Sequence, residues 1–266
     1  MHAPAPALPG LWAAVRAHTG CARCGGGYAI APACLAGCFE PIPHSACPRC
    51  AQQRVGARCL SLGCRRGWFG PGRTHVVLGY KEGGAQRLVL AAKDAGTWSA
   101  VALLGRLLAG FLLIQPAPRG YDLLLPVPSH PAGLRGRRVH PLTAVYLEAA
   151  PVLRRALPCD DLAPPWLVQV REVPPLRGRG EAARWRAVQG AFALGFRTRM
   201  LRGARVLLLD DVMTTGATTS ECARVLIEDG GAAAVDTVIL VRQPWRAAGS
   251  RTLVRDQNLT IPRIGV

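Results

Sequence analysis

Two adjacent carboxylates and a threonine- and glycine-rich turn lie close together in VLLLDDVMTTGATTS, residues 206–220. Asp210 and Asp211 follow four apolar residues, and Thr214 opens a TTGAT segment shortly afterwards. Free N–H groups at the start of a helix attract phosphate, and threonine hydroxyls add donors without charge. Carboxylates accept hydrogen bonds from hydroxyl groups and bind Mg²⁺. The pattern therefore predicts a ligand with a phosphate at one end and hydroxyls at the other, such as a ribose 5-phosphate.

A second group of residues suited to chemistry is a cluster of cysteines. Eight of the ten cysteines lie between residues 21 and 64, in four closely spaced pairs. Such spacing lets two sulfurs converge on a tetrahedral Zn²⁺, so we predict one or two structural zinc sites. Disulfides and an iron–sulfur cluster are the alternatives, and disulfides are rare in the cytoplasm. The predicted metal ligands are Cys21, Cys24, Cys34, Cys38, Cys47, Cys50, Cys59 and Cys64.

The elements that must position these residues alternate between strand-like and helix-like segments. Apolar runs predict strands at 74–80, 121–128, 204–211 and 235–242. Helical patterns separate them at 84–96, 98–113, 139–156 and 220–231. This alternation predicts an α/β fold with a mostly parallel sheet flanked by helices, whose ligands bind at the carboxyl ends of the strands.

The chain divides near residue 70 into two expected domains. Residues 1–70 hold the clustered cysteines and form a small Cys-rich zinc-ribbon domain. Residues 75–266 form the α/β domain. Within it, 164–186 is rich in proline and arginine, which predicts a long mobile loop with a short helix at its end.

Charge and hydropathy constrain the partners. Lys and Arg number 33 against 16 Asp and Glu, which gives a net charge of +17. Such a charge favours polyanionic partners, although a general arginine bias of the composition also contributes to it.

The sequence also bears on membrane insertion and secretion. The most apolar window, 101–114, is too short to span a bilayer and contains Arg106. The N-terminus lacks a secretory pattern. We therefore expect no transmembrane segment and a cytoplasmic protein.

The segment VLLLDDVMTTGAT, residues 206–218, resembles the PRPP-binding signature of type I phosphoribosyltransferases. A cysteine-rich ribbon ahead of such a domain resembles the ComF family, which is linked to natural competence and DNA uptake. The resemblance covers roughly residues 20–242 and includes LVLAAKDAG with Lys93. It also includes LLLPVPSHPAGLRGRR with Arg135 and Arg137.

This resemblance implies a type I phosphoribosyltransferase-like fold that binds PRPP or a nucleotide with Mg²⁺. It implies that Asp210 and Asp211 are catalytic and contact the ribose hydroxyls. Pyrophosphate or nucleic acid would contact Ser129, Arg135 and Arg137. The residues implied to bind the 5′-phosphate are Thr214, Thr215, Gly216, Ala217 and Thr218.

Two functions remain open at this point. The first is phosphoribosyl transfer from PRPP to an unknown acceptor. The second is a non-catalytic protein that handles single-stranded DNA together with the competence machinery. Trp68, Trp166 and Trp185 lie in or near arginine-rich stretches, and core packing is favoured over base stacking for each of them.

Overall fold

A computed structural model describes most of the α/β region and the second half of the cysteine cluster. The described residues are 42, 45–52, 54–69, 72–80, 83–94, 98–114, 120–128, 139–153, 166–174, 180–196 and 198–244. The strands are β1 Arg54–Val55, β2 Arg58–Cys59, β3 Thr74–Val76, β4 Leu123–Pro126, β5 Leu167–Gln169, β6 Phe192–Leu194, β7 Arg205–Met213 and β8 Ala234–Arg242. The helices are α1 Leu62–Arg65, α2 Gly83–Asp94, α3 Trp98–Ile114, α4 Pro141–Leu153, α5 Glu181–Val188 and α6 Ala217–Arg224. A 3₁₀ turn spans Thr198–Leu201, and a π-helical turn, Val225–Asp229, continues α6.

Four parallel strands form the main sheet in the order β3-β8-β7-β4. Residues 206–209 of β7 and 238–241 of β8 are buried. Their side chains alternate between the two faces of the sheet, so both faces must be covered, as in α/β proteins generally. The predicted parallel α/β sheet flanked by helices is confirmed.

Helices α3 and α4 pack closely against each other. Leu104 and Leu108 of α3 and Val145 and Ala149 of α4 are all buried. A side chain at Gly105 would collide with α4, because a Cβ there would overlap Glu148. Gly105 therefore lets the two helices approach closely, which explains a glycine in the middle of this mostly apolar helix.

The predicted loop over 164–186 contains a strand. Leu167–Gln169 pairs antiparallel with Phe192–Leu194, a strand that was not predicted. Both are three residues long, and the prolines and arginines beside the first obscure its apolar pattern. Trp166 and Phe192 are buried, so packing stabilises this small ribbon. The short helix expected at the end of the segment is α5.

Two predicted boundaries shift around the TTGAT segment. Strand β7 continues to Met213 rather than ending at Asp211, because β8 runs beside it as far as Arg242. The following helix begins at Ala217 instead of Ser220, since Gly216 adopts a left-handed conformation with φ of 79° and starts the helix there. Within the described ranges, no helix combines the length and apolar character needed to cross a bilayer.

Candidate functional site

The TTGAT segment forms a tight turn after strand β7, at Thr214–Gly216, and the first two residues of helix α6. We call Thr214–Thr218 the phosphate-type loop. Thr214, Thr215 and Thr218 are partly exposed, whereas Gly216 and Ala217 are buried. The Ala217 N–H donates to the Thr215 hydroxyl at 3.4 Å, and the Thr219 hydroxyl donates to the Gly216 carbonyl at 3.1 Å. Because the first N–H groups of a helix lack partners within it, this turn presents donors suited to an anion.

The two carboxylates lie on the last part of β7 and face opposite sides of the sheet. Strand β7 pairs with β4 only as far as Leu209. From Asp210 onwards, β7 therefore extends beyond the end of β4. Asp211 forms an ion pair with Lys93 of α2, with 2.5 Å between Nζ and Oδ2. Asp210 lies toward Cys222 of α6, whose thiol pKa is raised by burial and by that carboxylate. Successive side chains of a strand point to opposite faces of the sheet, which is why the two neighbouring carboxylates have different surroundings.

Asp210 is the electrostatically unusual member of the pair. Burial, and then the neighbouring Asp211 charge, raise the pKa of Asp210 from 3.8 to about 7. The Asp211 N–H donates to Asp210 Oδ1 at 2.8 Å, and Lys93 also favours the charged form, so both oppose the rise. A cation bound nearby would stabilise the ionised form of the Asp210 carboxylate and so offset the effect of its burial.

Four cysteines converge in the described half of the cysteine cluster. Cys47, Cys50, Cys59 and Cys64 place their sulfurs within 4.8 Å of one another. The Cys50–Cys59 distance is 3.5 Å and the Cys47–Cys64 distance is 3.8 Å. Four sulfurs about 2.3 Å from a central zinc lie about 3.8 Å apart in a tetrahedron. These residues, which we call the four-cysteine centre, could therefore hold a metal ion such as zinc.

Local structure brings these four sulfurs together. Cys47 and Cys50 lie on one tight turn, in which Ala51 N–H donates to the Cys47 carbonyl at 2.7 Å. Cys59 ends the β1–β2 hairpin, and Cys64 lies on α1. The contact between Cys50 and Cys59 raises the pKa of the first thiol and lowers that of the second. A divalent cation would allow all four to be thiolates at once.

A cavity of about 590 Å³ borders the loop and the cysteine-containing segment. Its walls include the aromatic rings of Trp68, Phe69 and Trp185, together with Ala217 and Ser220 of α6. Trp185 is buried and contacts both other rings, with centroids 5.4 Å apart in each case. Trp166 is buried as well, but Trp68 is 38% exposed. Packing thus accounts for two of the three tryptophans.

Several predicted site residues lie outside the described residues. These are Ser129, Arg135, Arg137, Cys21, Cys24, Cys34 and Cys38. The number of zinc sites beyond the four-cysteine centre therefore stays a prediction.

Sequence reasoning missed two residues that contact the loop. Arg242, at the end of β8, donates to the Met213 carbonyl at 2.7 Å and also to the Thr214 carbonyl. Phe69 covers Gly216 so closely that a Cβ there would overlap its ring. Neither carries a local signal, because each acquires its role only when distant segments meet.

Comparison with known proteins does not assign a family. No protein-family model matches the sequence, and no curated protein matches it. Among solved structures, the UMP synthase of Leishmania donovani shares 18% identity, with a TM-score of 0.31. The match covers 56% of this chain and 23% of that one. A TM-score this low does not establish a common fold.

Proposed function

We propose that the chain binds PRPP or a nucleoside 5′-monophosphate together with Mg²⁺. The observation that carries this proposal is the segment Thr214–Thr218, which joins a buried parallel strand to the first residues of α6 and has two carboxylates shortly before it, Asp210 and Asp211. The resemblance of residues 206–218 to the PRPP-binding signature supports the same ligand. The whole chain would then be a ComF-like protein with a zinc-binding domain over 1–70 and a phosphoribosyltransferase-like domain over 75–266.

In this proposal each half of the site binds one end of the ligand. The hydroxyls of Thr214, Thr215 and Thr218 and the N–H groups of the turn, including Gly216 and Ala217, donate to the 5′-phosphate. Asp210 and Asp211 accept from the ribose hydroxyls. Mg²⁺ supplies the positive charge that these carboxylates need near the ligand.

The ion pair between Lys93 and Asp211 implies an exchange of partners on binding. Lys93 is 35% exposed and Asp211 15%, so both lie within reach of a ligand. When Asp211 accepts from the ribose, the Lys93 ammonium becomes available to a phosphate group. In phosphoribosyl transfer, the acceptor would bond to ribose C1 as the bond to pyrophosphate breaks, and cationic groups would stabilise the departing charge. Lys93 is the described candidate for this role; Ser129, Arg135 and Arg137 are the candidates from the sequence.

Calorimetry with PRPP and with AMP, each with and without Mg²⁺, tests the proposal. We expect Mg²⁺-dependent binding that weakens by about 1–3 kcal/mol in Asp211→Asn, because a hydrogen bond to a charged group is lost. The matched control is Asp229→Asn, which changes an exposed carboxylate beyond α6 and should leave affinity unchanged. Absence of binding of both ligands to folded wild-type protein would overturn the proposal.

A second candidate function is the handling of single-stranded DNA within the competence machinery. The observation that favours it is the charge of the segment around the four-cysteine centre, where the sequence has no Asp or Glu between Glu40 and Glu82. The exposed arginines of this segment are Arg49, Arg54, Arg58, Arg65, Arg66 and Arg73. Together with Trp68 and the adjoining aromatic cavity, they supply the cations and ring faces that bind single strands. This function, like the reduced thiols of the four-cysteine centre, fits a cytoplasmic location.

Charge reversal distinguishes a dedicated DNA surface from diffuse positive charge. We expect a fluorescent oligo-dT to bind with strong salt dependence, and Arg58, Arg65 and Arg66 changed together to Glu should abolish most of that binding. The control triple takes exposed arginines elsewhere, at Arg87, Arg106 and Arg202. Equal loss in both triples would mean that no dedicated surface exists.

A further inference from the structure

The fully buried Arg242 connects the four-cysteine centre with the phosphate-type loop. Its Nε donates to the carbonyl of Cys50 at 2.6 Å. Its Nη1 donates to the Met213 carbonyl at 2.7 Å and also to the carbonyl of Thr214, the first residue of the loop. One rigid guanidinium therefore fixes the main chain of a cysteine ligand and the main chain at the start of the loop.

The position of Arg242 also has an electrostatic consequence. Its side chain is 0% exposed; the charge of Glu181 acts on it, but no described carboxylate lies within ion-pair distance of it. A buried charge needs compensation to be stable. Four thiolates around a divalent metal carry a net charge of about −2. A metal-loaded four-cysteine centre beside Arg242 supplies that compensation.

A second contact joins the same two parts in the middle of the loop, at Gly216. Phe69, a few residues after Cys64, lies against Gly216, and a Cβ at that position would overlap the ring. Phe69 is itself held edge-on against Trp185, with centroids 5.4 Å apart. Thr214 and Gly216 are thus both contacted by groups whose positions depend on the cysteine-containing segment.

We propose that Arg242 is a positioning residue that, together with Phe69, couples metal binding at the four-cysteine centre to phosphate binding at Thr214–Thr218. The inference rests on the proposed function, since it requires that the loop bind a phosphate ligand. Metal fixes Cys50, Cys50 fixes the guanidinium, and the guanidinium holds the first carbonyl of the loop. Each ligand then favours the conformation that binds the other.

Thermodynamic linkage makes the coupling measurable from either side. If metal raises the affinity for phosphate, the phosphate ligand must raise the affinity for metal by the same factor. The metal side is the more convenient, because a chromophoric chelator that competes for zinc gives a direct optical signal. The test is to determine zinc affinity by competition with a chromophoric chelator, with and without saturating PRPP and Mg²⁺.

In wild-type protein we expect PRPP to raise zinc affinity about fivefold or more, within the usual range of coupling between sites. Arg242→Lys keeps the charge but cannot bridge several carbonyls. The factor by which PRPP raises zinc affinity should therefore fall toward one, while zinc and PRPP both still bind. Phe69→Leu should lower the factor as well, and it serves as a second variant if Arg242→Lys does not fold. The control is Arg205→Lys at the start of β7, which should retain the wild-type factor.

The outcomes separate this inference from the function on which it rests. PRPP that binds wild-type protein but leaves zinc affinity unchanged overturns the coupling and leaves the proposed function intact. A wild-type factor retained in Arg242→Lys, or in Phe69→Leu if the first variant fails to fold, overturns the assigned positioning role. Metal-loaded wild-type protein that does not bind PRPP or AMP overturns both proposals.

Discussion

Replacing Asp210 by Asn should stabilise the ligand-free protein, and more so at high pH. In the folded protein the pKa of Asp210 is raised from 3.8 to about 7, chiefly by burial. The folded state therefore keeps a proton that the unfolded state releases above pH 4. The stability that this proton contributes is fully present below the unfolded pKa and is lost as the pH rises through the folded pKa.

The difference between these two pKa values corresponds to about 4 kcal/mol above pH 7 and to about 2 kcal/mol at pH 5.5. Asn cannot ionise, yet its oxygen can still accept the Asp211 N–H that bonds to Asp210 at 2.8 Å. The stability advantage of Asp210→Asn over wild type should therefore grow by about 2 kcal/mol between pH 5.5 and pH 8.5.

Urea unfolding at both pH values measures this change. The protein should be zinc-loaded, and the buffers should contain neither Mg²⁺ nor phosphate, because both are ligands of the proposed site. Any loss of zinc at pH 5.5 affects both proteins and cancels in their difference. Asp229→Asn, at an exposed position, is the control for loss of one negative charge. An advantage that stays constant across the two pH values would refute the reasoning.

Two further predictions concern the four-cysteine centre and the loop. Elemental analysis of protein purified without added metal should find at least one zinc per chain. Replacing Cys50 by Ser should lower both the zinc content and the thermal stability. Iron in place of zinc, or cysteines oxidised to disulfides, would contradict the assignment. Gly203 and Gly216 have φ values of 75° and 79°, so replacing either by Ala should cost about 1–2 kcal/mol of unfolding free energy. The Gly216→Ala change should cost more, because the added Cβ also meets Phe69, whereas the space beside Gly203 is open. Equal costs in urea unfolding would show that the Phe69 ring moves aside without a loss of stability.

The features that the sequence predicted well are local ones. The buried strand before Asp210 and the presence of a helix after the TTGAT segment, though not its start at Ala217, follow from neighbouring residues, because apolar runs and a glycine-containing turn have direct backbone consequences. The convergence of Cys47 with Cys50 also follows from their spacing. In each case the physical cause lies within a few residues of the feature, so a linear pattern suffices.

What the sequence could not predict depends on distant segments. Arg242 has the pattern of a charged residue at a strand end, and its burial results from contacts with Cys50, 192 positions earlier in the chain. The ion pair of Lys93 with Asp211 forms only when α2 packs against the sheet at β8, which brings Lys93 to the end of β7. Strand β5 is too short to show the alternation of apolar and polar residues that marks a strand, and it forms because β6 pairs with it.

The parallel register of β3 with β8 has a consequence for the order of folding. The cysteines that meet at 3.8 Å, Cys47 and Cys64, are 17 positions apart, whereas Thr74 pairs with Thr237. At usual rates of synthesis, on the order of ten to forty seconds pass between translation of residue 64 and of residue 242. During that interval a metal can already assemble the hairpin and α1, but β3 has no strand to join. The metal-bound segment would then be the preformed surface on which the last strand of the sheet docks, and metal supply during translation would influence the yield of folded protein.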